Sequence, residues 1–134
     1  MGSELLHAPL TEAIVGGFYD VYNELGHGFL ESVYRRSLLI ALRDRGLRVE
    51  AEVEVAVRFR EREVGSFRAD LVVEDAVVVE LKVARAIDPV HEAQLLHYLK
   101  ASRLEVGLLL NFGEQPRFKR LVLANTRKNP RSSA

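Results

Sequence analysis

The ten residues AVVVELKVAR, from Ala76 to Arg85, restrict what this chain can fold into more than any other stretch. Val77, Val78 and Val79, followed by Leu81 and Val83, have the continuous apolar character of a strand covered on both faces. Glu80 and Lys82 interrupt that run. Side chains two apart on a strand point the same way, with Cα atoms about 6.6 Å apart. Two ionisable groups in an apolar strand are costly unless something compensates them. The compensating group is the question the sequence poses.

A candidate lies one strand earlier. The segment FRADLVVED precedes the run, and Glu74-Asp75 reads as the turn between two antiparallel strands. Pairing across that turn sets Asp70 opposite Glu80. Facing carboxylates repel each other unless a cation lies between them. A hard divalent ion, Mg²⁺ or Mn²⁺, taking oxygens from Asp70, Glu80 and the backbone carbonyl of Leu81 would supply the compensation. Lys82 would then orient or deprotonate the attacking water, or neutralise an incoming phosphate. That chemistry is phosphodiester hydrolysis. The other reading of the same residues is a salt-bridged Glu80–Lys82 pair on the wet face of a sheet, since E-x-K is a common tripeptide.

The rest of the chain punctuates itself. Ile14, Phe18, Val21, Tyr22 and Leu25 recur at helical spacing over Leu10 to Leu25, with Thr11 as the expected N-cap and Gly26 as the stop. Leu30 to about Arg45 repeats the pattern through Val33, Tyr34, Leu38, Ala41 and Leu42, with Gly46 after it. From Leu47 to Phe59 the period switches to two, which predicts one long strand with a single wet face carrying Arg48, Glu50, Glu52, Glu54 and Arg58. Arg60 to Glu63 predicts a turn, and Val64 to Val73 the next strand. With Val77 to Val83 these make an antiparallel meander. Asp88-Pro89 opens a helix to about Ala101. Val106 to Phe112 is a buried strand, and Phe118 to Leu123 an edge strand. The order is α-α-β-β-β-α-β-β, one α/β domain over residues 1–134 with an ordered core at about 10–124.

Composition narrows the function classes. With 134 residues, 48% hydrophobic and 28% charged, the chain is globular and long enough for one core. It has no cysteine, which excludes disulfides, thiolate zinc sites and cysteine nucleophiles. No apolar run approaches the roughly 20 residues of a membrane span, and Met1-Gly2-Ser3-Glu4 lacks an apolar leader core, so the expectation is a cytoplasmic protein with no membrane partner. Net charge is zero, with six basic and no acidic residues after Glu114. A basic tail on an acidic body can touch phosphates, but a solvated terminus is the better reading of the last eight residues.

Asp70 with Glu80-x-Lys82 on adjacent strands resembles the PD-(D/E)xK nuclease superfamily, although Ala69 stands where the name has proline. Gly28-Phe29-Leu30-Glu31-Ser32-Val33-Tyr34 is similar to the G-x-x-E-x-x-Y signature of a family within it, and Gln94-Leu95-Leu96-His97-Tyr98 to the Q-x-x-x-Y pattern of its RecB-like branch. LLLNFG (Leu108 to Gly113), ahead of a final basic strand, also resembles that family. The resemblance runs from Leu10 to about Ala124. It implies a restriction-endonuclease-like core, a central mixed sheet flanked by helices, and a divalent-metal-dependent nuclease acting on DNA or RNA. Asp70, Glu80 and Lys82 would be catalytic, and Glu31 would join the metal ligands. Gln94 and Tyr98, four apart on one helical face, would position the substrate. The alternative is a nuclease-like module that binds nucleic acid or a partner protein without turnover. Homodimerisation stays open, as do substrate type and cleavage mode.

Overall fold

The computed structural model describes residues 6–125. Helix α1 (Ala8–Leu25) and helix α2 (Glu31–Asp44) are followed by strands β1 (Val49–Phe59), β2 (Arg62–Val73) and β3 (Val77–Lys82). Helix α3 (Pro89–Ala101) then leads to strands β4 (Val106–Phe112) and β5 (Pro116–Val122). The five strands form one sheet in sequential order, antiparallel except for the parallel pair β3–β4 that α3 connects. This is the mixed sheet flanked by helices that the resemblance implies, in the element order read from the sequence. The basic residues Arg127, Lys128 and Arg131 lie outside the described residues.

Each helix buries the stripe its spacing defines. Ile14, Phe18 and Val21 of α1 and Tyr34, Leu38 and Leu42 of α2 are buried, with Leu71, Val73, Val77, Val79, Leu81, Leu108, Leu110 and Phe112 beneath them. The helices meet closely at Gly17, where a β-carbon would come within 2.7 Å of Leu42 Cδ2. On the other side, Leu95, Tyr98 and Leu99 of α3 cover Ala69, Val72, Val78 and Leu109. Strand β4 is buried along its whole length, Asn111 included, as its predominantly apolar sequence leads one to expect.

Three expectations need correction. Thr11 is not an N-cap: α1 begins at Ala8 after His7, and the buried Thr11 hydroxyl donates to the Ala8 carbonyl at 3.0 Å. Pro9 sets that earlier start, because proline suits the first turn, where its missing N–H goes unused. The turn expected over Arg60 to Glu63 is tighter, with Arg60 and Glu61 alone at positive φ (51° and 66°) and Arg62 already paired with Phe59.

The third correction concerns β1, which does not keep one wet face. Val49 packs in the α1–α2 cluster, yet Val53 and Val55, of the same parity, pack on the α3 side. Between them Glu52 has φ 54°, which turns the strand over. β2 makes the same switch: Leu71 and Val73 face α1 and α2, whereas Phe67 and Ala69 face α3. Both strands therefore change sides at the level of Glu52 and Asp70, the one position missing from their otherwise unbroken register between Val49↔Val73 and Val57↔Gly65.

Candidate active site

The β2–β3 ladder follows the expected register, Val73↔Val77, Val72↔Val78 and Leu71↔Val79, and stops there. The next pair would be Asp70 with Glu80. Because β2 turns over at Asp70, the backbones part and side chains take over the bonding. Leu81 N–H donates to Asp70 Oδ2 at 2.8 Å, and Asp70 N–H donates to Glu80 Oε1 at 3.3 Å. In an antiparallel ladder the N–H and C=O of one residue point to the same neighbour, so the Leu81 carbonyl also lies on the Asp70 side.

The half-buried Glu80 is held in an unfavourable place for a charge. Burial, then the Asp70 carboxylate, push its pKa up from 4.5 to about 8, while the Asp70 N–H and Lys82 pull the other way. Two carboxyls in such contact, with a lysine as partial relief, make a site where added positive charge is favourable. Lys82 is half-buried, two residues along on the same side of β3.

Glu31 is the first residue of α2, and a rigid turn sets it there. The Tyr34 hydroxyl donates to the Gly26 carbonyl at 2.5 Å and accepts from Phe29 N–H at 3.3 Å. Its ring stacks on Phe112 at 4.4 Å. Burial first, and Asp70 second, raise the Glu31 pKa, with Lys82, Arg35 and His91 opposing. Glu31 thus lies within electrostatic reach of Asp70 and Lys82. Among the described residues, however, no group of three His, Cys, Asp or Glu side chains comes close enough to hold a metal ion together.

From α3 come the two positioning candidates. Tyr98 is buried, and burial, then Glu80 and Glu50, push its phenol up to about 12. Its hydroxyl therefore stays protonated beside Glu80, a donor at any physiological pH. Gln94, one turn earlier, is exposed on α3. It shares the helix face of Tyr98, as i and i+4 require, with no hydrogen-bond partner among the described residues.

The structure adds Arg35, His91 and Asn111 to the site, of which the sequence marked only Asn111, as part of LLLNFG and without a role. Arg35 Nη1 sits 3.4 Å from Asp70 Oδ1, and Arg35 Nη2 sits 3.7 Å from Glu52 Oε1. Its only sequence signal is the four-residue spacing from Glu31. His91 accepts the Asp88 N–H on Nδ1 at 3.3 Å, completing the cap of α3 close to Glu31. Asn111, fully buried, accepts from Ala84 N–H and donates to the Ala84 carbonyl, both at 2.9 Å. It pins the chain just after Lys82. Gly113 belongs to the same clamp, since a β-carbon there would lie 2.1 Å from the Ala84 carbonyl oxygen.

Residues 8–121 match a family model described as PD-(D/E)XK nuclease superfamily. No curated protein matches the sequence. Among solved structures, the crystal structure of SSO0001 superposes with a TM-score of 0.56 at 20% identity, over 88% of this chain. This chain spans 59% of that one's length, and at this identity the likeness concerns the fold alone.

Proposed function

We proceed from the family, for the chain belongs to the PD-(D/E)XK nuclease superfamily, and we propose that it is a divalent-metal-dependent nuclease hydrolysing phosphodiester bonds at Asp70, Glu80 and Lys82. The observation that carries this reading is the carboxyl pair at the point where β2 and β3 part, with Glu80 pushed up to about 8 by burial and by Asp70. Oxygen donors held together against their own repulsion, in a chain without cysteine, fit a hard cation. Asp70 and Glu80 would hold Mg²⁺ or Mn²⁺ with the Leu81 carbonyl, and Glu31 would join them directly or through water. When bound, the ion polarises the phosphoryl oxygen and makes water a stronger nucleophile near neutral pH.

The remaining chemistry belongs to the chain. Leu81 N–H fixes one Asp70 oxygen, so the carboxylate is oriented before substrate arrives. Lys82 holds the attacking water or neutralises a phosphate oxygen. The Tyr98 hydroxyl and the Gln94 amide, neither of them charged, steady the substrate strand without competing for the cation. The Asn111–Ala84 clamp keeps Lys82 and its following loop in place.

Within the superfamily we place the chain in the G-x-x-E-x-x-Y family and the RecB-like branch, on Gly28 to Tyr34 and Gln94 to Tyr98. Its partner is nucleic acid, with a second copy or another protein supplying specificity that so small a domain has little room for. The described residues contain no helix long and apolar enough to cross a membrane, and a cytoplasmic site of action accords with that.

The test is calorimetric titration of Mn²⁺ into the parent and into Asp70→Ala and Glu80→Ala, followed by nuclease assay against Lys82→Ala. Binding in the parent that is lost in both carboxylate variants, with hydrolysis lost in Lys82→Ala, is the expected result. A parent that binds no metal sinks the reading. Metal binding without hydrolysis of any nucleic acid would leave the binding-module alternative.

A further inference from the structure

The Asp70 carboxylate has both oxygens engaged by the chain itself. Oδ2 accepts the Leu81 N–H at 2.8 Å, and Oδ1 faces Arg35 Nη1 at 3.4 Å. From its other nitrogen the same guanidinium reaches Glu52 Oε1 at 3.7 Å. Both contacts are longer than the 2.7–2.9 Å typical of a strong charged hydrogen bond. Arg35 is thus shared between two carboxylates and clamped by neither. Its side chain is 24% exposed, against 18% for Asp70 and 50% for Glu52, so the pair it makes with Asp70 is the more sheltered one.

The arrangement has a local cause. Glu52 and Asp70 stand at the level where β1 and β2 change sides of the sheet, and Glu52 is carried there by a backbone at φ 54°. Arg35 projects from α2 one turn after Glu31, on the same helix face. A guanidinium cannot lose its proton in a protein, so this positive charge is permanent. It faces the oxygen that an incoming cation would use.

We propose that Arg35 is a built-in counter-ion that competes with the divalent cation for Asp70 and is handed to Glu52 when the cation binds. The inference rests on the metal-binding reading above and adds a residue pair to it. Arg35 positions Asp70 in the cation-free protein, so the carboxylate is not left buried and unpaired. It also sets a threshold: an ion occupies the site only when it outbids the guanidinium. Glu52 lowers that threshold by accepting the displaced charge in a more solvated position.

The experiment is calorimetric titration of Mn²⁺ into the full chain, with no substrate present, for the parent, Arg35→Gln, Glu52→Gln, the double variant, and Arg36→Gln. Arg36 is an exposed neighbour on α2, and its substitution makes the same change in net charge. Arg35→Gln should tighten Mn²⁺ binding about tenfold, while Arg36→Gln stays within about twofold of the parent. Glu52→Gln should weaken binding about threefold in the parent and change it little in the Arg35→Gln background, because its effect passes through Arg35. Unchanged or weaker binding in Arg35→Gln overturns the proposal. So does equal tightening in Arg36→Gln, which would be a general charge effect, or an equal loss from Glu52→Gln in both backgrounds. If Arg35→Gln does not fold, Arg35→Lys takes its place in the cycle. It keeps the charge and loses the two-sided fork, and Glu52→Gln should then weaken binding less than in the parent. A parent that binds no Mn²⁺ overturns the metal-binding reading itself. A parent that binds with no response to Arg35→Gln overturns only the counter-ion.

Discussion

On one side of the sheet α1 and α2 lie over a broad apolar layer from Ile14 and Phe18 through Tyr34 to Phe112, in which the Tyr34 hydroxyl is hydrogen-bonded. On the other side α3 alone covers a smaller patch of Ala69, Val72, Val78, Leu95, Leu99 and Leu109. Glu80 alternates with Val79 and Leu81, so it emerges with Val78 on this thinly covered side, beside Tyr98. A charged site is tolerated only where this cover thins. A carboxyl pair under the thick layer would face full desolvation with no route for a cation or substrate. On the thin side the burial is enough to raise Glu80, while Asp70 stands at the crossing and reaches Arg35 of α2, and both carboxyls stay half-exposed and reachable.

The contrast can be broken first through stability. Phe112→Ala removes a ring that meets Phe18 edge-on at 4.7 Å and stacks on Tyr34, so it should cost about 4 kcal/mol. Leu95→Ala, on the thin side, should cost about 2–3 kcal/mol, since the site nearer solvent collapses more readily. Urea unfolding with m-values held constant decides the order. A cost for Leu95→Ala equal to that of Phe112→Ala would remove the distinction between the layers.

A second test uses pH in metal-free protein. The folded pKa of Glu80 is raised above its ordinary 4.5 to about 8, so the folded state binds a proton that the unfolded chain has released across that window. The stability from this group is fully present below pH 4.5 and is lost as pH rises towards 8, at about 1 kcal/mol per pH unit. Glu80→Gln should flatten that slope relative to the parent. Mn²⁺ binding should release a proton between those limits, seen as calorimetric heats that depend on the buffer. Parallel slopes for parent and variant would mean Glu80 titrates normally.

The smallest expected effect sharpens the comparison at the end of the sheet. Asn111→Leu strands the N–H and carbonyl of Ala84, which is only half-buried, so the cost should be about 1–2 kcal/mol. The proposed hydrolysis should fall by more than the folded fraction does, because Lys82 loses the anchor of its following residues. Activity that merely tracks the folded fraction would confine Asn111 to a structural role.

Much of this was legible in the chain. The stripe Ile14, Phe18, Val21, the run Val106 to Phe112, and the punctuation by Gly26, Gly46 and Pro89 are local patterns, and local patterns set helix and strand. The turn at Glu74-Asp75 fixed a register that brings Asp70 and Glu80 to the same level. Other features could not be read that way. Leu47 to Phe59 alternates without a break, yet the strand changes sides at Glu52, because the apolar cover passes from α1 and α2 to α3 along its length. Alternation records which residues want cover and is silent on which layer supplies it. Arg35 meets Asp70, and Asn111 meets Ala84, only after α2 and β4 are packed in place. Local patterning was enough for the elements, their order and the acidic pair. The crossing at Glu52 and Asp70, the Arg35 guanidinium beside it and the clamp behind Lys82 came only with packing, because each depends on contacts between residues far apart in the chain.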